Sequence, residues 1–283
     1  MGIEKDIAYQ KDMVRGREPR ILNIDGEISP AVTASFKFWE ASPYRIYVPR
    51  KIISLSAKWY GEDETWCKSI ADYSNYKPHE FAPLALLYID EKRLLKEFFE
   101  RYAEADLIVG HNVKKFDMKF LRTRAAFYGL DPVENTPQED TLVIIKKYFA
   151  LESNKLDYAC KYFGIEGKTE QRYDDLIDGC LAGDMQKWKT LKEYNIQDVV
   201  IDEQLYSKVA PWHTTHINLN RFRRSGKVSC KLCGASGDRL IRKGLDKSPI
   251  KWNLQKYRCK DCRHMFRGRE KLHKDSLEPI MEM

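Results

Sequence analysis

The chain has 283 residues, of which 43% are hydrophobic and 32% charged, with a net charge of +7. That length accommodates one sizeable domain and a smaller one, and the composition is that of a soluble globular protein. No apolar run approaches the roughly 18 residues a membrane helix needs, and the N-terminus has no basic stretch leading into an apolar one, which excludes a membrane span and a secretory signal and points to the cytoplasm.

Charge is unevenly spread. From Thr214 to Met283 there are 18 Lys and Arg against 7 Asp and Glu; the rest of the chain holds 31 against 35. An acidic body with a basic tail suggests that the tail meets a polyanion, although a solvated basic surface has the same composition.

In chain order, residues 1–19 alternate charges without an apolar period and read as a frayed tail. Arg20–Ile28 reads as a buried strand closed by Ser29 and Pro30. Residues 31–44 read as a loop carrying Phe36, Phe38 and Trp39. Arg45–Val48, Lys51–Tyr60 and Thr65–Ile70 read as strands of an antiparallel meander, interrupted at Pro49 and turned at Gly61. Glu91–Ala105 places Leu94, Leu95, Phe98, Phe99 and Tyr102 on one face of an amphipathic helix. Asp106–Gly110 is a short buried strand, followed by a helix over Lys115–Tyr128 that Gly129 stops. Asp140–Ile145 fits a strand or a helix start. Ser153–Phe163 and Asp184–Val209 are helical, ended near Gly164 and by Pro211. Strands in a meander, then strands alternating with helices, give an α/β order with a mixed sheet.

Acidic residues recur in telling contexts. Asp25 and Glu27, two apart on a strand, leave it on the same face. Two acids there repel and are costly to desolvate; a bound cation relieves both costs, and a solvent-exposed strand end would do so without one. Asp117 opens a helix, an end that favours acids in any case. His111 and Asn112 close the preceding strand at its carboxyl end, where open α/β sheets place ligands, and are candidates for substrate contact. Tyr194 and Asp198, four apart, share a helix face.

Asp25-x-Glu27, then Gly110-His-Asn with Phe116-Asp117, then Tyr194-x-x-x-Asp198 resembles, in order and spacing, the DnaQ-like 3′–5′ exonucleases of the ribonuclease H-like superfamily. The ending is similar to the subclass that uses tyrosine in place of histidine, and Asp140-Thr141 and Ser153–Asp157 look like segments of phage and bacterial relatives. The resemblance covers residues 20–212. It implies a ribonuclease H-like mixed sheet flanked by helices, in a cytoplasm that is a bacterial host's if the gene is a phage's. It also implies two Mg²⁺ or Mn²⁺ ions, with Asp25 bridging, Glu27 and Asp198 on the water-activating ion, and Asp117 on the leaving-group ion. Tyr194 would orient the attacking water, since an ordinary phenol ionises near pH 10, too high for an efficient base at neutrality. The substrate class implied is single-stranded DNA or 3′ ends, with RNA open, releasing nucleoside 5′-monophosphates; proofreading would need a replication protein in trans. Two departures stand out. Asp25-Gly-Glu-Ile28 replaces Asp-(aliphatic)-Glu-Thr, so Gly26 weakens the strand and removes a core contact, and Ile28 lacks the hydroxyl of Thr. Other readings are a catalytically silent nucleic-acid-binding accessory protein and a structure-selective endonuclease.

Of seven cysteines, Cys67, Cys160 and Cys180 read as reduced core thiols. Cys230-x-x-Cys233 and Cys259-x-x-Cys262, separated by 25 residues, predict a structural, four-cysteine Zn²⁺ site and a small C-terminal zinc ribbon over 229–270, with a basic linker at 213–228 and a tail at 271–283. His264 reads as a bystander. Among the many cations around the cysteines, Arg242, Lys243 and Arg258, with Trp252, are candidates for nucleic-acid contact; Trp252, Tyr257 and Phe266 could equally form the ribbon's core.

Overall fold

Two strands with opposite demands on their two faces organise the larger part of the molecule. The computed structural model describes residues 16–36, 43–167, 173–223, 226–246 and 252–273. Strand β1 (Ile21–Ile28) runs antiparallel to β4 (Ile52–Trp59), which pairs antiparallel with β5 (Thr65–Ser69). On its other side β1 is parallel to β6 (Leu107–Gly110), and β6 is parallel to β7 (Gln138–Asp140), giving the order β5-β4-β1-β6-β7. The α/β order and mixed sheet read from the sequence are therefore present.

Residues opposite one another in an antiparallel pair share a face. The register sets Ile24 against Ala57 and Gly26 against Leu55 on one face, and Asn23 against Lys58, Asp25 against Ser56 and Glu27 against Ser54 on the other. The first face joins the hydrophobic core with Leu94, Leu95 and Phe98 of helix α1 (Lys92–Tyr102) and Met118 and Leu121 of α2 (Asp117–Phe127). Each Leu or Phe withdrawn from water there contributes about 1.5–3 kcal/mol. The second face is polar yet also buried, a costly arrangement unless every group finds a partner. Partners for Asp25, Ser54, Ser56 and Lys58 come from the long helix α6 (Met185–Val209), described below; α3 (Thr141–Tyr148), α4 (Leu156–Tyr162) and α5 (Tyr173–Ala182) precede it.

Two stretches differ from the sequence reading. The expected loop at 31–44 contributes β2 (Val32–Ala34), which pairs with β3 (Arg45–Val48) in a separate two-stranded ribbon and takes β3 away from the main meander. Three residues are too few to show a period of two. Phe36 is exposed and stacks on Tyr44, with ring centroids 4.2 Å apart; Phe38 and Trp39 lie outside the described residues. Helix α5 carries a short apolar stripe, Leu176, Ile177, Cys180 and Leu181, with Gly179 inside it, a pattern easily passed over.

The chain divides into two compact units, one built on Arg20–Lys146 and Leu151–Tyr206, the other containing Lys147–Ala150 and the chain from Ser207 onward. The second unit holds a three-stranded antiparallel sheet of order β10-β9-β8 (Met265–His273, Trp252–Cys259, Leu240–Asp246). Its small core joins Cys230 and Cys259 to Tyr257 and Phe266, whose rings stack at 5.7 Å. Most of the expected N-terminal and C-terminal tails, residues 1–15 and 274–283, fall outside the described residues. Among those described, no helix is long and apolar enough to cross a membrane.

Candidate active site

Asp25 and Glu27 leave β1 on its polar face, and Asp198 comes down from α6; one oxygen from each lies within 4.8 Å of the others. Glu27 and Asp198 are buried and Asp25 is partly so. Asn195, on α6 one turn before Val199, holds this group in place. Its Nδ2 donates to Asp25 Oδ2 at 2.6 Å, and its Oδ1 accepts from the Ser54 and Ser56 hydroxyls of β4 at 3.0 and 2.8 Å. Nearby, Lys58 of β4 is paired with Glu203 of α6, which also accepts from the Gly61 N–H at 2.8 Å. These contacts tie the polar face of the sheet to α6, while the side-chain amide of Asn23, buried on the same face, makes no hydrogen bond among the described residues.

Asp117 approaches from the first turn of α2. Burial pushes its carboxyl up to about 7, and the negative charges of Asp140 and Glu27 add to the effect. A Cβ on Gly26 would lie 3.0 Å from Leu55 Cδ2 and 3.9 Å from Asp117 Oδ1. The glycine that weakens β1 therefore also relieves crowding where strand, Leu55 and Asp117 meet. Tyr194 sits partly buried on α6 one turn before Asp198.

His111 and Asn112 are tied into the protein's own polar lattice. Asn112 adopts a left-handed backbone (φ 69°), and its N–H donates to Asp140 Oδ1 at 3.0 Å, while the Lys114 N–H donates to Asp140 Oδ2 at 3.1 Å. His111 Nε2 lies 3.0 Å from the Asn154 carbonyl and its Nδ1 2.9 Å from Thr141 Oγ1. A carbonyl can only accept, so Nε2 carries a proton. Thr141 Oγ1 also lies 2.5 Å from Asp202 Oδ1. One hydroxyl proton cannot serve both of these contacts. Both are hydrogen bonds only when a second proton rests on Asp202 or on His111 Nδ1, and in either state the set is neutral. Burial raises the Asp202 carboxyl to about 7, with Asp140, Asp198 and Asp117 contributing.

Sequence reading named Asp25, Glu27, Asp117 and Asp198 but gave no role to Asn195, Asp140, Thr141 or Asp202. Asn195 lies inside the Tyr194–Asp198 stretch, and Asp202 follows Asp198 by one turn, so position alone could have flagged both.

Beside Glu27 opens a groove of about 1040 Å³, lined by Pro30, Ile46, Arg50, Phe116 and Phe120 among others. Phe116 is part-exposed, at 38%, and stacks on Phe120 with rings 13° from parallel.

In the second unit Cys230, Cys233, Cys259 and Cys262 each offer a sulfur within 4.8 Å of the others. Cys230 and Cys262 are 3.5 Å apart, as are Cys233 and Cys259, far beyond the roughly 2.05 Å of a disulfide. His264 stands apart from this group, buried, with Nδ1 3.0 Å from the Pro211 carbonyl. Arg242 is set opposite Tyr257, whereas Arg258 is set opposite Met265 and Ile241; Lys243 is exposed on β8. The side chain of Trp252 lies outside the described residues.

Residues 30–190 match the family model for the DNA polymerase family B exonuclease domain. That span contains His111, Asn112 and Asp117, and Asp25, Glu27, Tyr194 and Asp198 flank it closely. A DNA polymerase III PolC-type from Ureaplasma parvum serovar 3 (strain ATCC 700970) is 31% identical over 102 residues, which is 35% of this chain and 7% of that relative. A solved structure of the family B DNA polymerase from the hyperthermophilic archaeon Pyrobaculum calidifontis aligns at a TM-score of 0.50 and 17% identity, covering 83% of this chain and 32% of that one. At that identity the likeness is one of fold, and the chain spans only a minor part of either protein's length.

Proposed function

The chain belongs to the family of DNA polymerase family B exonuclease domains, whose activity is 3′–5′ exonuclease hydrolysis, and on that premise we propose that Asp25, Glu27, Asp117 and Asp198 form a two-cation site that shortens DNA strands from the 3′ end. RNA strands present the same phosphodiester and fall within the same proposal. The observation that carries this reading is the convergence of oxygens from Asp25, Glu27 and Asp198, drawn from two distant segments, within 4.8 Å.

The donor set is all hard oxygen, which suits Mg²⁺ or Mn²⁺. When bound, such ions supply a more acidic water and offset charge on the scissile phosphate. Asp25, Glu27 and Asp198 would hold them, with Asp117 as the fourth carboxylate. This chain's own residues prepare the site. Asn195 fixes the Asp25 carboxylate from α6. Asp117, whose carboxyl burial pushes up to about 7, would have to give up its proton to hold a cation, so metal affinity should rise with pH. Tyr194 hydrogen-bonds the attacking water. The groove beside Glu27 takes the end of the strand, with Phe116 as a stacking face for a base.

The four cysteines would hold Zn²⁺. At the usual Zn–S distance of about 2.3 Å, the edge of a tetrahedron is roughly 3.8 Å, close to the sulfur separations present. A closed four-sulfur site folds its module and leaves no position for chemistry. The basic ribbon around it would anchor the nucleic acid.

Product analysis on 5′-labelled DNA and RNA with Mg²⁺ or Mn²⁺ tests the proposal. A ladder shortening from the 3′ end with 5′-mononucleotide product, abolished by Asp25→Asn, is expected. Degradation by Asp25→Asn at the wild-type rate, or cutting of circular DNA, would overturn it.

A further inference from the structure

Alternation along the strands sorts the ribbon's basic side chains into two sets. Along β9, Tyr257 and Cys259 are buried and Arg258 between them is exposed; from His264 into β10, His264 and Phe266 are buried while Met265 and Arg267 are exposed. Register places Ile241 of β8 and Met265 of β10 on either side of Arg258, and Arg267 beside Lys256. Opposed residues share a face, so the side of the sheet away from the cysteines carries Ile241, Arg258 and Met265 in a row across three strands, with Lys256 and Arg267 in the next row. Ile241 and Met265 are 39% and 44% exposed. Neither row contains a carboxylate. Arg242, set against the buried Tyr257, belongs to the cysteine side.

We propose that the face formed by Ile241, Arg258 and Met265 with Lys256 and Arg267 docks a nucleic-acid strand, its cations on phosphates and its two apolar side chains against sugars and bases. The assignment rests on the exonuclease reading of the other unit and on the ribbon's anchoring role. Arg258 presents a planar fork of donors suited to phosphate oxygens, and Lys256, two residues away on the same strand, supplies a second positive charge on the same side. An acidic peptide would match the charges. A polyanion that also carries apolar base faces matches both the charges and the exposed Ile241 and Met265.

The test measures binding of a short, fluorescently labelled single-stranded DNA by the full-length chain, zinc-replete and carrying Asp25→Asn to stop degradation, over a range of KCl concentrations. Lys256→Gln with Arg258→Gln should weaken binding at least fivefold and lower the salt slope by about 1.4, at roughly 0.7 per phosphate contact on a single strand. Arg242→Gln, on the opposite side, should change affinity less than twofold. Equal zinc content in all variants shows that the ribbon is folded. Equal losses from the two sides would overturn the face assignment. So would loss confined to a variant in which Arg242, Lys243, Lys256, Arg258 and Arg267 are all Gln, an outcome that leaves the ribbon's anchoring role standing. Unchanged binding in that five-site variant would overturn both and leave a protein partner as the occupant. Failure of the exonuclease reading shows separately, as a wild-type chain that leaves the same DNA intact.

Discussion

Asp198 and Asp202 stand one turn apart on α6, and their surroundings give them different work. Asp198 offers an oxygen to the group with Asp25 and Glu27; Asp202 shares a proton with His111 through Thr141. An asparagine at 202 can donate Nδ2–H to Thr141 Oγ1 and so supply the second proton that the set needs. Asp202→Asn should therefore keep turnover within about threefold of wild type, Asp202→Ala should lower it further by breaking the bridge, and Asp198→Asn should abolish it. Steady-state kinetics of the three decide; a loss in Asp202→Asn as complete as in Asp198→Asn would make Asp202 a ligand.

Asp117 and Asp202 are both raised to about 7, chiefly by burial. A carboxyl whose folded pKa lies above its unfolded value confers stability that is complete below the unfolded value, near pH 4, and is lost as pH rises through the folded one. Without divalent cation, the Tm should fall between pH 5 and pH 8. At the proposed site Mn²⁺ would compete with the proton on Asp117, so it should raise the Tm more at pH 8 than at pH 5. A flat profile, or an equal Mn²⁺ effect at both pH values, would contradict the assignment.

At the level of elements, the sheet places a buried apolar face and a buried polar face on the same two strands, and α6 makes the second tolerable. Asn195 is its main fastening. Asn195→Ala removes the acceptor of the Ser56 hydroxyl and the better of two acceptors of Ser54, which keeps the Lys68 carbonyl at 3.4 Å, and it loosens Asp25, at about 1–3 kcal/mol for a buried polar group left unpaired. Urea unfolding should show a stability loss in that range, and the cleavage rate should fall alongside it; a variant with unchanged stability would show that the Lys58–Glu203 pair and the apolar contacts hold α6 without Asn195. The same strands show what a sequence can reveal. Asp25 and Glu27 were legible because a period of two is local, and Tyr194 with Asp198 because a helical turn is local. The place of Asn195 inside that stretch was legible but its role was not, since its partners lie 139, 141 and 170 residues away. Gly26 read as a weakness until Leu55 and Asp117 were placed beside it. The β2–β3 ribbon escaped notice because its first strand has three residues.

For the whole molecule, two compact units divide the charge between them, with the carboxylate group in one and the cysteines and most excess cations in the other. Tyr257 and Phe266 form the ribbon's core, so stacking by those two rings is not available to a strand. Removing zinc with a selective chelator and then restoring Mg²⁺ should raise the KM for long strands and leave kcat near its starting value. A collapse of kcat at unchanged KM would tie the cysteine cluster to the chemistry itself.

The central claim is that these carboxylates hold cations. Mn²⁺ binding to the full-length chain, followed by electron paramagnetic resonance at pH 8 with zinc content monitored in parallel, tests it most directly. The account predicts that wild type takes up Mn²⁺ and that Asp198→Asn loses this uptake while keeping its zinc; equal Mn²⁺ uptake by the two proteins would contradict it.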